Sequence, residues 1–185
     1  MDPWAKVKTL NDFKADHVIS ALQKEIRRGE EENAILLALE MVKTSPELER
    51  YLWHRLMVIS VEDIGFGDKY APLIIQSLKN SVNEMDSAHL ERELFAVHAV
   101  RYLCLSKKDR TSDEIINLIN RFFTNEEKLP FIPDYAIDMH TDEGIEKGKD
   151  FRDFINEGSN INNISESYDS QYKEKIIEIL KNTSK

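Results

Sequence analysis

The sequence predicts an all-α protein, and three observations carry that expectation. Apolar residues recur at helical spacing in every long segment. Only six Gly and five Pro occur in 185 residues, which suits long helices joined by short turns. No segment is a convincing strand, and no internal repeat of fixed period is present. Six to eight helices are expected in a compact bundle. The expected division is an arm at 1–12, a helical domain at 13–157, a linker at 158–167 and a terminal helix at 168–185.

The first helix is expected over 13–28, with Ala15, Val18, Ile19, Leu22 and Ile26 on one stripe and Lys24, Arg27 and Arg28 opposite. Gly29 is its C-cap. The second, over 31–43, opens on acids that favour a helix N-terminus. It is apolar almost all round through AILLALEMV, so it should be central. Ser45 and Pro46 open a third as N-cap and first helical residue, with Leu48, Leu52, Leu56 and Ile59 inward to about Val61.

Residues 62–68, EDIGFGD, form the sharpest break, since Gly65 and Gly67 allow a tight reversal. A fourth helix starts near Asp68 or at Pro72 and carries Leu73, Ile74, Ile75 and Leu78 to about Val82. The fifth runs from about Ala88 to Leu105 with Leu90, Leu94, Phe95, Val97 and Tyr102. Thr111 or Ser112 caps a sixth, whose apolar side holds Ile115, Ile116, Leu118, Ile119, Phe122 and Phe123. Residues 129–133, LPFIP, are extended, because residues before proline avoid the helical region. Thr141 caps a helix ending near Gly158. GSNINNISES follows as a linker, and Tyr172, Ile176, Ile179 and Leu180 mark a last amphipathic helix.

Composition narrows the function. With 34 acidic and 25 basic residues the net charge is -9, which does not suit binding of polyanions by bulk electrostatics. The single cysteine, Cys104, cannot form an intrachain disulfide, and its apolar surroundings suggest a buried, inert thiol. The N-terminus lacks a signal-like apolar core, and no apolar run approaches the ~20 residues of a membrane span. A soluble, cytoplasmic protein is expected. A complete protein is the expectation from Met1 and the unmatched start, with a piece of a longer chain as the alternative.

ISALQKEIRRG at 19–29 and ISVEDIGFGD at 59–68 resemble the C-terminal helical region of the replication-associated recombination protein A family, AAA+ ATPases related to clamp loaders. Asp16, Ile19, Ser20, Ala21, Leu22, Lys24, Arg27 and Gly29 match the first part of the pattern. Glu62, Asp63, Ile64, Gly65 and Asp68 match the second. ERELFAVHAVRYLCL at 91–105 is similar to a following family helix. The resemblance spans about 16–123; the segment at 129–157 diverges, with Thr141, Gly144 and Gly148 as candidate remnants of the family's closing pattern. It implies a collar-like domain that self-assembles, as a tetramer, and that in the family holds ATPase modules near DNA. The chain has no GxxxxGK[ST] element, so ATP hydrolysis is not expected and no cofactor is implied.

Four constellations remain. Lys24, Arg27 and Arg28, with the turn Lys107, Lys108 and Arg110, could contact phosphates or a partner; the plainer reading is a solvated face paired to Glu25, Glu30 or Glu31. Glu62 and Asp63 could be an acid–base or metal pair, or carboxylates accepting backbone N–H groups beside Gly65, with Asp68 in the same turn. Asp138 and His140, with Asp142, Glu143 and, brought in by the fold, His17 or His98, come nearest to a metal site; they lack a second His at helical spacing and a fixed third ligand, so no metal is expected. His98 and Arg101 sit in the fifth helix's apolar stripe, either pairing with acids or facing another subunit. Phe131, Tyr135, Phe151 and Phe154 could receive a nucleobase or peptide; the plainer reading packs the extended segment onto the helical body.

Three functions compete. The first is a non-enzymatic assembly or adaptor module, beside a separate AAA+ ATPase or replication protein. The second is a DNA-contacting accessory protein. The third is a small metal-dependent enzyme centred on Asp138 and His140.

Overall fold

The computed structural model describes residues 3–86, 90–124 and 129–182, the side chains of 122–124 excepted. The chain falls into two compact units, Met1–Glu127 and Lys128–Lys185. Among the described residues the fold is all-α: one isolated bridge, Lys8 with Lys14, takes the place of any strand.

In the first unit, α1 (Ala15–Arg28) buries the expected stripe, Ala15, Val18, Ile19, Leu22 and Ile26. It stops at Gly29, whose φ of 79° is left-handed and whose N–H donates to the carbonyls of Glu25 and Ile26. Helix α2 (Glu31–Thr44) is central as expected: it packs on α1, on α3 (Pro46–Ile59) and on α5 (Glu91–Leu105). Its fully buried Ala34, Ala38 and Met41 face that crowding, while Leu36 is exposed. Ser45 caps α3 by accepting from the Leu48 N–H at 3.2 Å, with Pro46 at the first position. Leu48, Leu52, Leu56 and Ile59 are fully buried, each contributing roughly 1.5–3 kcal/mol of burial.

After Ile59 the backbone widens into a π-helical turn, Ser60–Ile64, closed by the Gly65 N–H on the Ser60 carbonyl. A short 3-10 turn at Gly65–Gly67 leads to α4 (Ala71–Asn83). Of the residues expected inward on α4, only Ile75 is fully buried, joined by Ala71 and Val82; Leu73 is exposed. Arg92 on α5 ties this corner together, bonding Glu49 at 3.0 Å and the carbonyls of Val82 and Met85.

The fifth helix's expected start at Ala88 lies outside the described residues. Its buried face is not the expected one: Ala96, Ala99, Val100, Leu103 and Cys104 are buried, Phe95 and Tyr102 half-buried, and Leu90 and Leu94 exposed. Small residues allow close approach to α2, which sets the buried side. Helix α6 (Thr111–Thr124) begins at Thr111, with the Asp109 carboxylate accepting the Thr111 N–H at 2.9 Å. Of the expected apolar side, Ile115, Ile116, Leu118 and Ile119 are exposed, and Phe122 and Phe123 lie outside the described side chains. The arm is docked rather than loose: Trp4 stacks on Tyr51 at 5.1 Å, and Asn11 N–H donates to Glu40 at 2.8 Å.

The second unit takes in 128–185, whereas the sequence placed a domain boundary at 158–167. The helix expected from Thr141 to Gly158 is broken into α7 (Asp142–Glu146) and α8 (Phe151–Asp153), which widens into a π-helical turn at Phe154–Gly158. Gly148, at a φ of 73°, interrupts it, and Asp150 re-caps the chain for α8. Thr141 does cap α7, accepting the Gly144 N–H at 3.0 Å. A 3-10 turn at Asp134–Ala136 and α9 (Gln171–Asn182) both contact the turn at 154–158.

Candidate functional site

The residues singled out at Glu62 and Asp63 form the densest charged cluster described. Asp63 is fully buried. Its Oδ1 accepts from Arg27 Nε at 2.5 Å and from Arg110 Nη1 at 2.5 Å, and its Oδ2 accepts from Gln23 Nε2 at 2.9 Å. Glu62 Oε1 accepts from Arg27 Nη2 at 3.2 Å and Arg110 Nη1 at 3.4 Å. Arg110 also pairs with Asp113, and Arg55 donates to Gln23 Oε1. Burial pulls the Arg110 guanidinium down, but its bonds to Asp63 and Glu62 and the charge of Asp113 outweigh that and raise it above its ordinary value.

Local sequence explains the cluster. The π-helical turn presents two consecutive acids toward α1 and the start of α6. Gly65, at φ 51°, and Gly67 then let residues 107–110 come in: a Cβ at Gly65 would collide with the Asp109 carbonyl oxygen, and one at Gly67 with that of Lys107. The Asp109 N–H donates to the carbonyls of Asp63 and Ile64 at 3.1 Å. Asp68 completes the turn, accepting from Tyr102 Oη at 2.5 Å, Ser106 Oγ at 3.3 Å and the Tyr70 N–H at 3.0 Å. The Tyr102 bond in the first place holds the Asp68 carboxyl below its ordinary value. Burial and then Asp68 push the Tyr102 phenol up to about 12.

This arrangement corrects both earlier readings of Glu62 and Asp63. Their side chains neither cap backbone N–H groups nor stand open as an acid–base pair. Two guanidiniums, which stay protonated, hold Asp63 Oδ1 and Glu62 Oε1, and Gln23 holds Asp63 Oδ2. The cluster is a clasp that ties α1, the π-helical turn and α6. Gln23 and Arg55 were missed in the sequence; Gln23 and Arg27, four apart on α1, were the signal of a polar stripe beside the apolar one.

The expected basic face is therefore divided. Arg27 and Arg110 turn into the clasp. Lys108 donates to the carbonyls of Leu103, Cys104 and Ser106 at 2.8, 3.0 and 2.6 Å, satisfying the C-terminus of α5. Burial lowers its ammonium below the ordinary value. Lys24 donates to Ser20 Oγ and Arg28 to the Lys24 carbonyl; both are exposed, as is Lys107. Cys104 is buried, and desolvation pushes its thiol up to about 11.

His98 and Arg101 lie on the exposed side of α5, in line with exposed Leu94 and Leu105, rather than in its buried stripe. Arg101 Nε pairs with Glu31 at 2.6 Å.

In the second unit, Asp138 is satisfied locally. Its carboxylate accepts the His140 N–H at 2.9 Å and lies 3.1 Å from His140 Nδ1. Those bonds, the backbone one first, hold its carboxyl below the ordinary value. Its carbonyl accepts from Thr141, and a Cβ at Gly144 would collide with that carbonyl. His140 meets the edge of Phe154 at 5.0 Å. Among the described residues no three His, Cys, Asp or Glu converge as a metal site. Phe131 and Tyr135 are exposed, and Phe151 lies 6.2 Å from Phe154.

The remaining feature is apolar. A groove of about 430 Å³ runs between α3 and α6, lined by His54, Met57, Val58, Val61, Glu62, Ser112, Asp113 and Ile116. A shallower one shares Val61 and Ser112 and reaches Phe66, which is 82% exposed. The apolar side of α6 was the one sign of this surface in the sequence. None of the described helices is long and apolar enough to cross a membrane. No model of a known protein family matches the chain, and no curated protein matches it.

Proposed function

We propose that this chain is a non-enzymatic helical assembly module, cytoplasmic, that forms a homo-oligomer, a tetramer, and serves as an adaptor to ATPases of DNA replication, recombination or repair. The process rests on the resemblance of residues 16–123 to the helical region of those ATPases. The observation that carries the assembly reading is the apolar surface of α6 and its groove, which the first unit leaves open. The motif shared with the family is spent internally as a clasp, which supports a scaffold over a catalytic role. A DNA-contacting role has less behind it, since Arg27, Lys108 and Arg110 are engaged within the chain and the net charge is -9. The metal-dependent alternative has only the Asp138–His140 pair. Native mass spectrometry of the full chain tests the proposal. A tetramer is the expected result, and a monomer at all concentrations overturns it.

A further inference from the structure

Helix α6 is held to the first unit along one flank. Asp113 joins the clasp through Arg110, and Ser112, Asp113 and Ile116 form a wall of the groove. The rest of its stripe stays open: Ile115 is 49% exposed, Leu118 56% and Ile119 39%. Glu114 and Arg121 are both exposed and flank the stripe on the side away from the groove. They are seven residues apart, about two turns, so they share that flank.

We propose that this stripe is a homotypic interface in which α6 packs antiparallel against α6 of a second copy. The inference deepens the assembly reading and rests on it. Charge selects the occupant and the direction. A two-fold axis passing between positions 117 and 118 brings Glu114 of each copy beside Arg121 of the other, on the same flank and at the same height. Parallel packing about a two-fold axis along the helices would instead put the two Glu114–Arg121 flanks on opposite sides of the interface, leaving both charges without their counterparts. The stripe is thus complementary to itself reversed. Helix α6 alone, about 21 Å long, is short of the roughly 1,200 Å² that a stable interface buries. Met57, Val58 and Val61 in the adjoining groove extend the apolar footprint.

The test measures self-association of the full chain by analytical ultracentrifugation and native mass spectrometry. Glu114→Arg and Arg121→Glu are each expected to weaken association about tenfold, and the double variant to recover it to within roughly threefold. Leu118→Glu is expected to abolish association through this face while leaving the circular dichroism of the chain unchanged. An oligomer that none of these variants weakens overturns the α6 interface and leaves the assembly reading standing. Single variants that weaken without recovery in the double overturn the antiparallel pairing. A monomeric wild type overturns both.

Discussion

Helices α5 and α6 follow one another across the turn at 106–110, and their sequences and their burial run in opposite senses. Helix α6 carries a clean apolar stripe, whereas the apolar residues of α5 are spread around it. Yet α5 buries Ala96, Ala99, Val100, Leu103 and Cys104, and α6 keeps Ile115, Ile116, Leu118 and Ile119 exposed. Periodicity reports that a face exists; neighbours decide what covers it. Helix α5 lies against α1, α2, α3 and α4 and needs small residues where backbones approach. Helix α6 meets the body chiefly at the π-helical turn, where charge rather than apolar burial makes the contact.

Matched truncations sharpen that contrast. Leu103→Ala on α5 removes a fully buried side chain and is expected to destabilise the fold by about 3 kcal/mol in urea denaturation. Leu118→Ala on α6 is expected to shift monomer stability by no more than about 0.5 kcal/mol. Equal losses at the two sites would erase the distinction between the helices.

Asp63→Ala goes at the contact that holds α6. It removes the nearer of the two carboxylates that Arg27 and Arg110 share and leaves them only the longer contacts to Glu62. Both guanidiniums keep some solvent contact, so the expected loss is about 2–3 kcal/mol, below that of a sealed pair. Hydrogen exchange should rise first at the amides of 107–116. Uniform exchange across α5 and α6 would show that the clasp does not hold α6 separately.

An effect smaller than at the clasp lies at the α5 end. Tyr102→Phe removes the donor to Asp68, and a loss of about 1 kcal/mol is expected at neutral pH after solvent screening. The folded Asp68 carboxyl is held low, so the wild-type advantage is fully present above the ordinary carboxylate pKa and shrinks as pH falls through the folded value. The folded Tyr102 phenol is raised, so the same advantage is lost again as pH rises from about 10 toward about 12. A wild-type-minus-variant difference that stays flat at both extremes would remove the Tyr102–Asp68 bond from the account.

Legibility followed chemistry with local causes. Ser45, Pro46 and Gly29 were readable because caps act within a turn of themselves, and Leu48, Leu52, Leu56 and Ile59 because one long stripe has one plausible side. The pairing of Arg27 and Arg110 with Asp63 was not, because those residues are distant in sequence and meet only when α1 and the turn at 106–110 converge. Gly148 was misjudged inside a helix because a left-handed residue depends on backbone context that side-chain pattern does not encode. At Asp138 and His140 the short spacing was visible, but not that both groups close on their own loop.

The π-helical turn at Ser60–Ile64 has a bearing on how this chain can vary. It accommodates one residue more than an α turn between Ile59 and Gly65. Losing that residue would let the segment rewind as ordinary helix and swing everything after it by about 100°. Asp63 would then leave its arginines, and both glycines would miss the carbonyls they were fitted to. Chain length here is under the same constraint as residue identity: a descendant can trade side chains on its surface, but it cannot shorten this stretch by one and keep the clasp.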